Sequence, residues 1–213
     1  MTHAIQNIIF DFGGVLLNID YQKTYDELGH LLGYRGLPTE MTDEFRDILI
    51  RFEKGEMGTE SFIWALQRTS KKEIPHGDAI IRAWNAMLIG WFPGTFKLLE
   101  ELGQKYNIFL LSNTNALHIG WVHHDLKITH TLHGFEQRFF KKVYYSHEIG
   151  LRKPDIDIYR FVTEDAKLLP EETIFIDDLA ENIMGAKKTG WNVYQHNPNE
   201  NLEEILRSTL KLL

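Results

Sequence analysis

The stretch Ile8-Ile9-Phe10-Asp11-Phe12-Gly13-Gly14-Val15 decides the fold of this chain. A short continuous apolar run ends in a carboxylate, and two glycines follow. Two later runs end in the same way. Ile108-Phe109-Leu110-Leu111 leads into Ser112, and Thr173-Ile174-Phe175-Ile176 leads into Asp177-Asp178. Continuous apolar runs of this length read as strands buried on both faces, as in a parallel sheet. Ligands of open parallel sheets bind at the carboxyl ends of the strands. A carboxylate, a hydroxyl and a carboxylate pair are therefore expected around one crevice. A nucleophile, a phosphate donor and a cation site need those groups.

Outward from the first run, the period turns helical between Tyr21 and Ile89. Four stripes stand out: Tyr25, Leu28, Leu31 and Leu32; Phe45, Ile48, Leu49 and Phe52; Phe62, Ala65 and Leu66; and Ile80, Trp84, Met87 and Leu88. Gly33, Gly36-Leu37-Pro38 and Gly55 to Gly58 punctuate them. No strand is read inside this block. Strand and helix then alternate. A helix carries Phe96, Leu98, Leu99 and Leu102, and further strands are expected at Val143-Tyr144-Tyr145 and Trp191 to Tyr194. A helix follows Pro154, another closes at Lys187-Lys188-Thr189-Gly190, and Asn201 with Glu204 reads as a helix start. The reading is an α/β chain whose parallel-sheet core is interrupted after its first strand by a helical cap. The core covers 1–16 and 92–213, and the cap covers 17–91.

Composition narrows the function classes. The 213 residues are 43% hydrophobic and 25% charged, ordinary values for a chain that buries a good core. A net charge of -7 with no basic stripe argues against nucleic-acid binding. The lack of cysteine excludes disulfides and thiolate metal sites. No run approaches the roughly 18 apolar residues of a membrane span. Met1-Thr2-His3-Ala4-Ile5-Gln6 has neither a basic start nor an apolar signal core. A soluble cytoplasmic protein, monomeric or homodimeric, is expected.

Four segments taken in order resemble the motifs of the haloacid dehalogenase superfamily. They are Asp11-Phe12-Gly13-Gly14-Val15, Leu111-Ser112-Asn113, Gly150-Leu151-Arg152-Lys153-Pro154-Asp155 and Phe175-Ile176-Asp177-Asp178. The resemblance implies a Rossmann-like core and a catalytic set of Asp11, Ser112 and Lys153. Asp11 would attack phosphorus to form an aspartyl-phosphate. A carboxylate needs no prior deprotonation at neutral pH, but a dianionic phosphate repels it, so cationic help is required. The resemblance supplies Mg²⁺ among Asp11, the carbonyl of Gly13 and the Asp177-Asp178 pair, with Asp178 a direct ligand and Asp177 its water-mediated neighbour. Asn182 would orient Asp178. Ser112 and the amides near Asn113 would bond the phosphate oxygens, and Lys153 would neutralise charge. Phe12, Gly13 and Asn113 are read as substrate-binding positions, joined by Glu53 and Lys54 from the cap as candidates for sugar hydroxyls.

One departure matters. Most phosphatases of this superfamily carry a second aspartate two residues after the nucleophile, where this chain has Gly13. General acid–base help of that kind is worth about 10²–10⁴-fold. Three readings follow. The first is a magnesium phosphatase acting on a small phosphomonoester with a good leaving group. A sugar 1-phosphate fits, as in the glucose-1-phosphate phosphatase branch of the superfamily, and Asp20 or a cap residue would replace the acid. The second is a 2-haloacid dehalogenase-type hydrolase, against which the Asp177-Asp178 pair argues. The third is a weakly active protein that binds a phosphorylated metabolite. Trp64 and Trp84 are read as packing residues. Of ten histidines, six lie between His118 and His147, a segment read as a solvated loop or an intersubunit surface, with His118 nearest the crevice.

Overall fold

A computed structural model of the chain describes residues 4–213. Met1, Thr2 and His3, which open the segment read above as lacking a signal, lie outside the described residues. The five expected strands form one parallel sheet. They are β1 (Asn7–Phe10), β4 (Asn107–Ser112), β5 (Lys142–Tyr145), β6 (Thr173–Asp177) and β7 (Asn192–Gln195), in the order β5-β4-β1-β6-β7. β1 lies at the centre. Phe10 is level with Leu110 on one side and with Ile176 on the other. That register sets Asp11, Ser112 and Asp177 at the same edge of the sheet, and the Asp11 amide donates to the Ile176 carbonyl at 2.8 Å. The unbroken apolar runs have a physical cause, because β1 is buried at every residue and β6 likewise.

Between β1 and β4 stand α1 (Tyr21–Leu32), α2 (Asp43–Glu53), α3 (Thr59–Arg68) and α4 (Gly77–Asn85). Their stripes bury Leu28, Phe45, Phe52, Phe62, Ile80 and Trp84 in an apolar cluster separate from the two that sandwich the sheet. Phe52 and Phe62 stack there with ring centres 3.9 Å apart. Gly33 ends α1 in the left-handed conformation that only glycine adopts cheaply.

The structure corrects the expectation of no strand between Tyr21 and Ile89 at the end of that block, where a strand begins at Leu88 and pairs with one that precedes the block. β2 (Leu17–Ile19) and β3 (Leu88–Trp91) pair antiparallel at the two points where the chain leaves and rejoins the sheet domain. The ribbon escaped the sequence reading because β2 has three residues, and Leu88 continues the period of α4.

Six further helices follow β3: α5 (Thr95–Gly103), α6 (Ala116–Ile128), α7 (Phe135–Phe139), α8 (Ser146–Ile149), α9 (Ile156–Asp165) and α10 (Ala180–Lys187), with α11 (Leu202–Ser208) closing the chain. Much of the histidine-rich segment is thus the helix α6, not a loop. Its buried Ile119, Val122 and Leu126 keep helical spacing between the histidines. Trp84 is 5% exposed, as packing requires, whereas Trp64 is 59% exposed with the Arg68 guanidinium over its ring. Among the described residues, no helix is long and apolar enough to cross a membrane.

Candidate active site

Asp11 leaves the end of β1 and Lys153 enters from the loop after α8. The Lys153 ammonium is buried and uses all three of its donors. It bonds Asp11 Oδ1 at 2.7 Å, Asp177 Oδ2 at 2.7 Å and the Leu111 carbonyl at 2.9 Å. A buried lysine is tolerable only with such compensation. Burial opposes its charge, but Asp11 and Asp177 outweigh burial and hold its pKa above the ordinary lysine value. Burial also raises the Asp11 carboxyl to about 7. Lys153 pulls it back, and the charges of Asp177 and Asp178 push the same way as burial.

The two adjacent acids differ sharply in their surroundings. Asp177 is fully buried at the end of β6. Its Oδ1 accepts from the Leu179 amide at 2.8 Å and from Asn182 Nδ2 at 3.0 Å, while its Oδ2 accepts from Lys153 and again from Asn182 Nδ2 at 3.0 Å. Every lone-pair direction of Asp177 is in use. Asn182 therefore holds Asp177, not Asp178 as the sequence suggested. Asp178 is only partly buried, and burial together with the charge of Asp177 raises its pKa to about 6. Gly14 brings the first loop against it. At φ +74°, a Cβ on Gly14 would lie 2.5 Å from Asp178 Oδ2, so glycine is required both for conformation and for space.

One oxygen from each of Asp11, Asp177 and Asp178 lies within 4.8 Å of the others. Three crowded carboxylates, two of them with raised pKa values, suit a hard divalent cation that takes oxygen ligands. Asn182 Oδ1, buried beside them, has no hydrogen-bond partner among the described residues.

A cavity of about 160 Å³ opens above this cluster. Asp11, Gly13, Ser112, Asn113 and Lys153 form its floor with Phe12. Asn113 lines the cavity, and its side chain has a further task. Its side-chain amide bonds the Lys153 carbonyl at 2.8 Å, and its side-chain carbonyl accepts from the Lys153 amide at 2.9 Å. Ser112 is 3% exposed, and its hydroxyl makes only a long 3.5 Å contact to the Asn113 carbonyl, which leaves it available.

Of the two cap candidates, Glu53 lines the cavity, and its Oε2 is gripped by the Arg152 guanidinium at 3.0 and 2.9 Å. Lys54 does not line it. As the residue that ends α2, Lys54 turns outward, and its ammonium sits 4.0 Å from Asp155. Asp20 is also outside the lining. It caps α1 by accepting from the Gln22 amide at 3.0 Å and is exposed, so it is not positioned to replace the missing acid.

Sequence reasoning missed Arg152, Tyr21 and Tyr25 as lining residues. Arg152 stood beside Lys153 in the third motif, and the two tyrosines share one face of α1 at a spacing of four. His118 and Trp84 also line the cavity, stacked with ring centres 5.0 Å apart. Asn115 Oδ1 accepts from both the His118 amide at 3.1 Å and Trp84 Nε1 at 3.3 Å. The Asn115 Nδ2 that faces His118 Nδ1 at 3.1 Å is then a donor, so the ring proton lies on Nε2, toward the Trp84 carbonyl. Burial lowers the His118 pKa to about 4, and the ring is neutral.

The chain matches the haloacid dehalogenase-like hydrolase family over residues 8–195 and belongs to it. It is 28% identical to the D-ribitol-5-phosphate phosphatase of Bacteroides thetaiotaomicron over 198 residues, covering 90% of this chain and 91% of that one. It is 27% identical to a sesquiterpene phosphatase of Aspergillus oryzae over 196 residues, covering 89% of each. A structure of a family enzyme from B. thetaiotaomicron, in complex with magnesium and inorganic phosphate, superposes with a TM-score of 0.82 at 30% identity. That match covers 96% of this chain and 100% of the other. The protein is accordingly a hydrolase of this family.

Proposed function

We propose that this protein is a magnesium-dependent phosphatase that hydrolyses a small phosphomonoester through an aspartyl-phosphate on Asp11. The observation that carries the reading is the Lys153 ammonium at 2.7 Å from both Asp11 and Asp177, with Asp178 close beside them and in no ion pair among the described residues. Relatives named as phosphatases and a family structure holding magnesium and phosphate support it.

Asp11, Asp178 and the Gly13 carbonyl would hold the ion, with Asp177 saturated by Lys153 and Asn182. When bound, the ion supplies positive charge that draws the phosphate toward Asp11 and lowers the carboxyl pKa of its ligands. Lys153 keeps Asp11 oriented and compensates its charge as phosphorus is approached. Ser112 Oγ donates to a non-bridging oxygen, and the backbone at Phe12 and Gly13 closes the phosphate pocket. Asn113 holds Lys153 in register.

The ribbon and helices of residues 17–91 act as a cap over the cavity, screening the acyl-phosphate from bulk water. Glu53, fixed by Arg152, presents a carboxylate to substrate hydroxyls. We infer a sugar or sugar-alcohol phosphate as the substrate, with a sugar 1-phosphate the form best suited to a site whose Gly13 offers no acid.

The test is phosphate release from sugar 1-phosphates, sugar-alcohol phosphates and nucleotides, with magnesium and with EDTA, beside Asp11→Asn. Chloroacetate is added to read halide release. Metal-dependent phosphate release that disappears in the variant is the expected result. Halide release that survives EDTA contradicts the reading.

A further inference from the structure

The side of the cavity that faces a departing oxygen is built unusually. A Cβ on Gly13 would lie 2.7 Å from Ile19 Cδ1, so the Ile19 side chain fills the volume that an acid at position 13 would use. Two residues later, at the first position of α1, Tyr21 lines the same cavity as Asp11, Gly13 and Glu53. It keeps 46% of its surface open. Tyr34, Tyr144, Tyr145 and Tyr159 each place their hydroxyl on a protein acceptor. Among the described residues, the hydroxyls of Tyr21 and Tyr25, both on the cavity wall, have none. Tyr21 feels the charges of Asp11 and Asp178, whereas Tyr25 feels only that of Glu53, so Tyr21 is the one nearer the nucleophile. Desolvation of the Tyr21 hydroxyl in the cavity wall raises its pKa beyond the ordinary phenol range. The charges of Asp11, Asp178 and Glu53 add to the effect, so the group stays a donor.

We propose that Tyr21 Oη does the work of the missing acid by hydrogen bonding: it holds a water against the ester oxygen of the substrate, and so determines which leaving groups the site expels. This rests on the phosphatase reading above.

In the first step an Asp11 oxygen bonds to phosphorus while the ester P–O bond breaks and its electron pair passes to the ester oxygen. That oxygen takes a proton from the water at Tyr21 and departs as an alcohol. The hydroxide left behind attacks phosphorus from the same side. The P–O bond to Asp11 breaks, its electrons return to the carboxylate, and inorganic phosphate leaves. Tyr21 remains a phenol throughout, and one water is consumed for each ester cleaved.

The experiment compares kcat/KM of wild type and Tyr21→Phe, with magnesium, on an alkyl phosphate and on p-nitrophenyl phosphate. Both esters need the water to hydrolyse the aspartyl-phosphate, but kcat/KM reports only the steps through departure of the leaving group, and there nitrophenolate needs no proton. Tyr21→Phe should lower kcat/KM on the alkyl ester by about 10²-fold, the lower end for acid–base assistance, and leave that of the aryl ester essentially unchanged. Circular dichroism melts of the two proteins establish that the fold is retained. Equal slowing of both esters, or of neither, overturns the assignment while the phosphatase reading stands. Wild-type silence on both esters overturns that reading and this one together.

Discussion

Asn113 holds Lys153 by both backbone polar groups, donating to its carbonyl at 2.8 Å and accepting from its amide at 2.9 Å. The residue after the serine of β4 thus sets the position of an ammonium forty residues later in the chain. Loss of this clamp lets the Lys153 loop shift without removing any group that meets phosphate. Asn113→Ala should lower kcat by about 10²-fold, the penalty typical of small misplacement in a reacting constellation, with a smaller change in KM. Steady-state kinetics on the preferred ester checks this. An unchanged kcat would show that the clamp does not position Lys153.

Lys153 neutralises two buried carboxylates at once, so its removal reaches beyond catalysis. Lys153→Met should abolish turnover and cost roughly 3–5 kcal/mol of stability, because Asp11 and Asp177 are left facing each other in a buried site. Protonation relieves that repulsion, and the loss should be smaller at pH 5 than at pH 8. Urea unfolding at the two pH values measures it. A loss independent of pH would contradict this electrostatic account.

The acids of the site also fix the pH response of the metal-free protein. The folded-state pKa values of Asp11, about 7, and Asp178, about 6, both lie above the unfolded 3.8. Between these limits the folded chain binds more protons than the unfolded chain, so stability falls as pH rises through that window. The raised Lys153 value acts only in the alkaline range. A divalent cation needs the ionised carboxylates and stabilises the fold that holds it. Magnesium should therefore raise Tm more at pH 8 than at pH 5. Melting curves with magnesium and with EDTA test this, and an equal or reversed difference would contradict it.

Asp20 was a candidate for proton transfer from sequence, and the structure makes it a helix cap. Asp20→Asn keeps the capping oxygen and should leave kcat unchanged, whereas Asp20→Ala should lower stability by about 1 kcal/mol with kcat again unaffected. A drop in kcat for the asparagine variant would return Asp20 to the chemistry.

Much of the core was legible because β1, β4 and β6 are buried on both faces, which leaves apolar runs that nothing else in the chain resembles. Their register then gathers Asp11, Ser112 and Asp177 without further information. The β2–β3 ribbon was illegible for the opposite reason. Three residues cannot show a period, and the pairing shifts register between Asn18 and Ile19, which skips Ile89 in the second strand. The site was readable in its residues and less so in their division of labour. Adjacent acids look alike in sequence, but only contacts from Lys153, Asn182 and the Leu179 amide show Asp177 to be saturated, while the Asp178 carboxylate takes no side-chain partner among the described residues. Glu53 and Lys54 were both charged, with opposite signs, and adjacent at one helix end. Their difference comes from Arg152, ninety-nine residues away, which draws Glu53 into the cavity wall.

The most direct test of the account is to look for the phosphoryl group on Asp11. Enzyme turning over its preferred ester with magnesium is quenched in acid, digested and weighed by mass spectrometry. The account expects the peptide containing Asp11 to carry one added phosphoryl group, and Asp11→Asn to show neither the added mass nor phosphate release. Phosphate release that persists in Asp11→Asn, with the peptide unmodified in wild type, would contradict covalent catalysis at this residue.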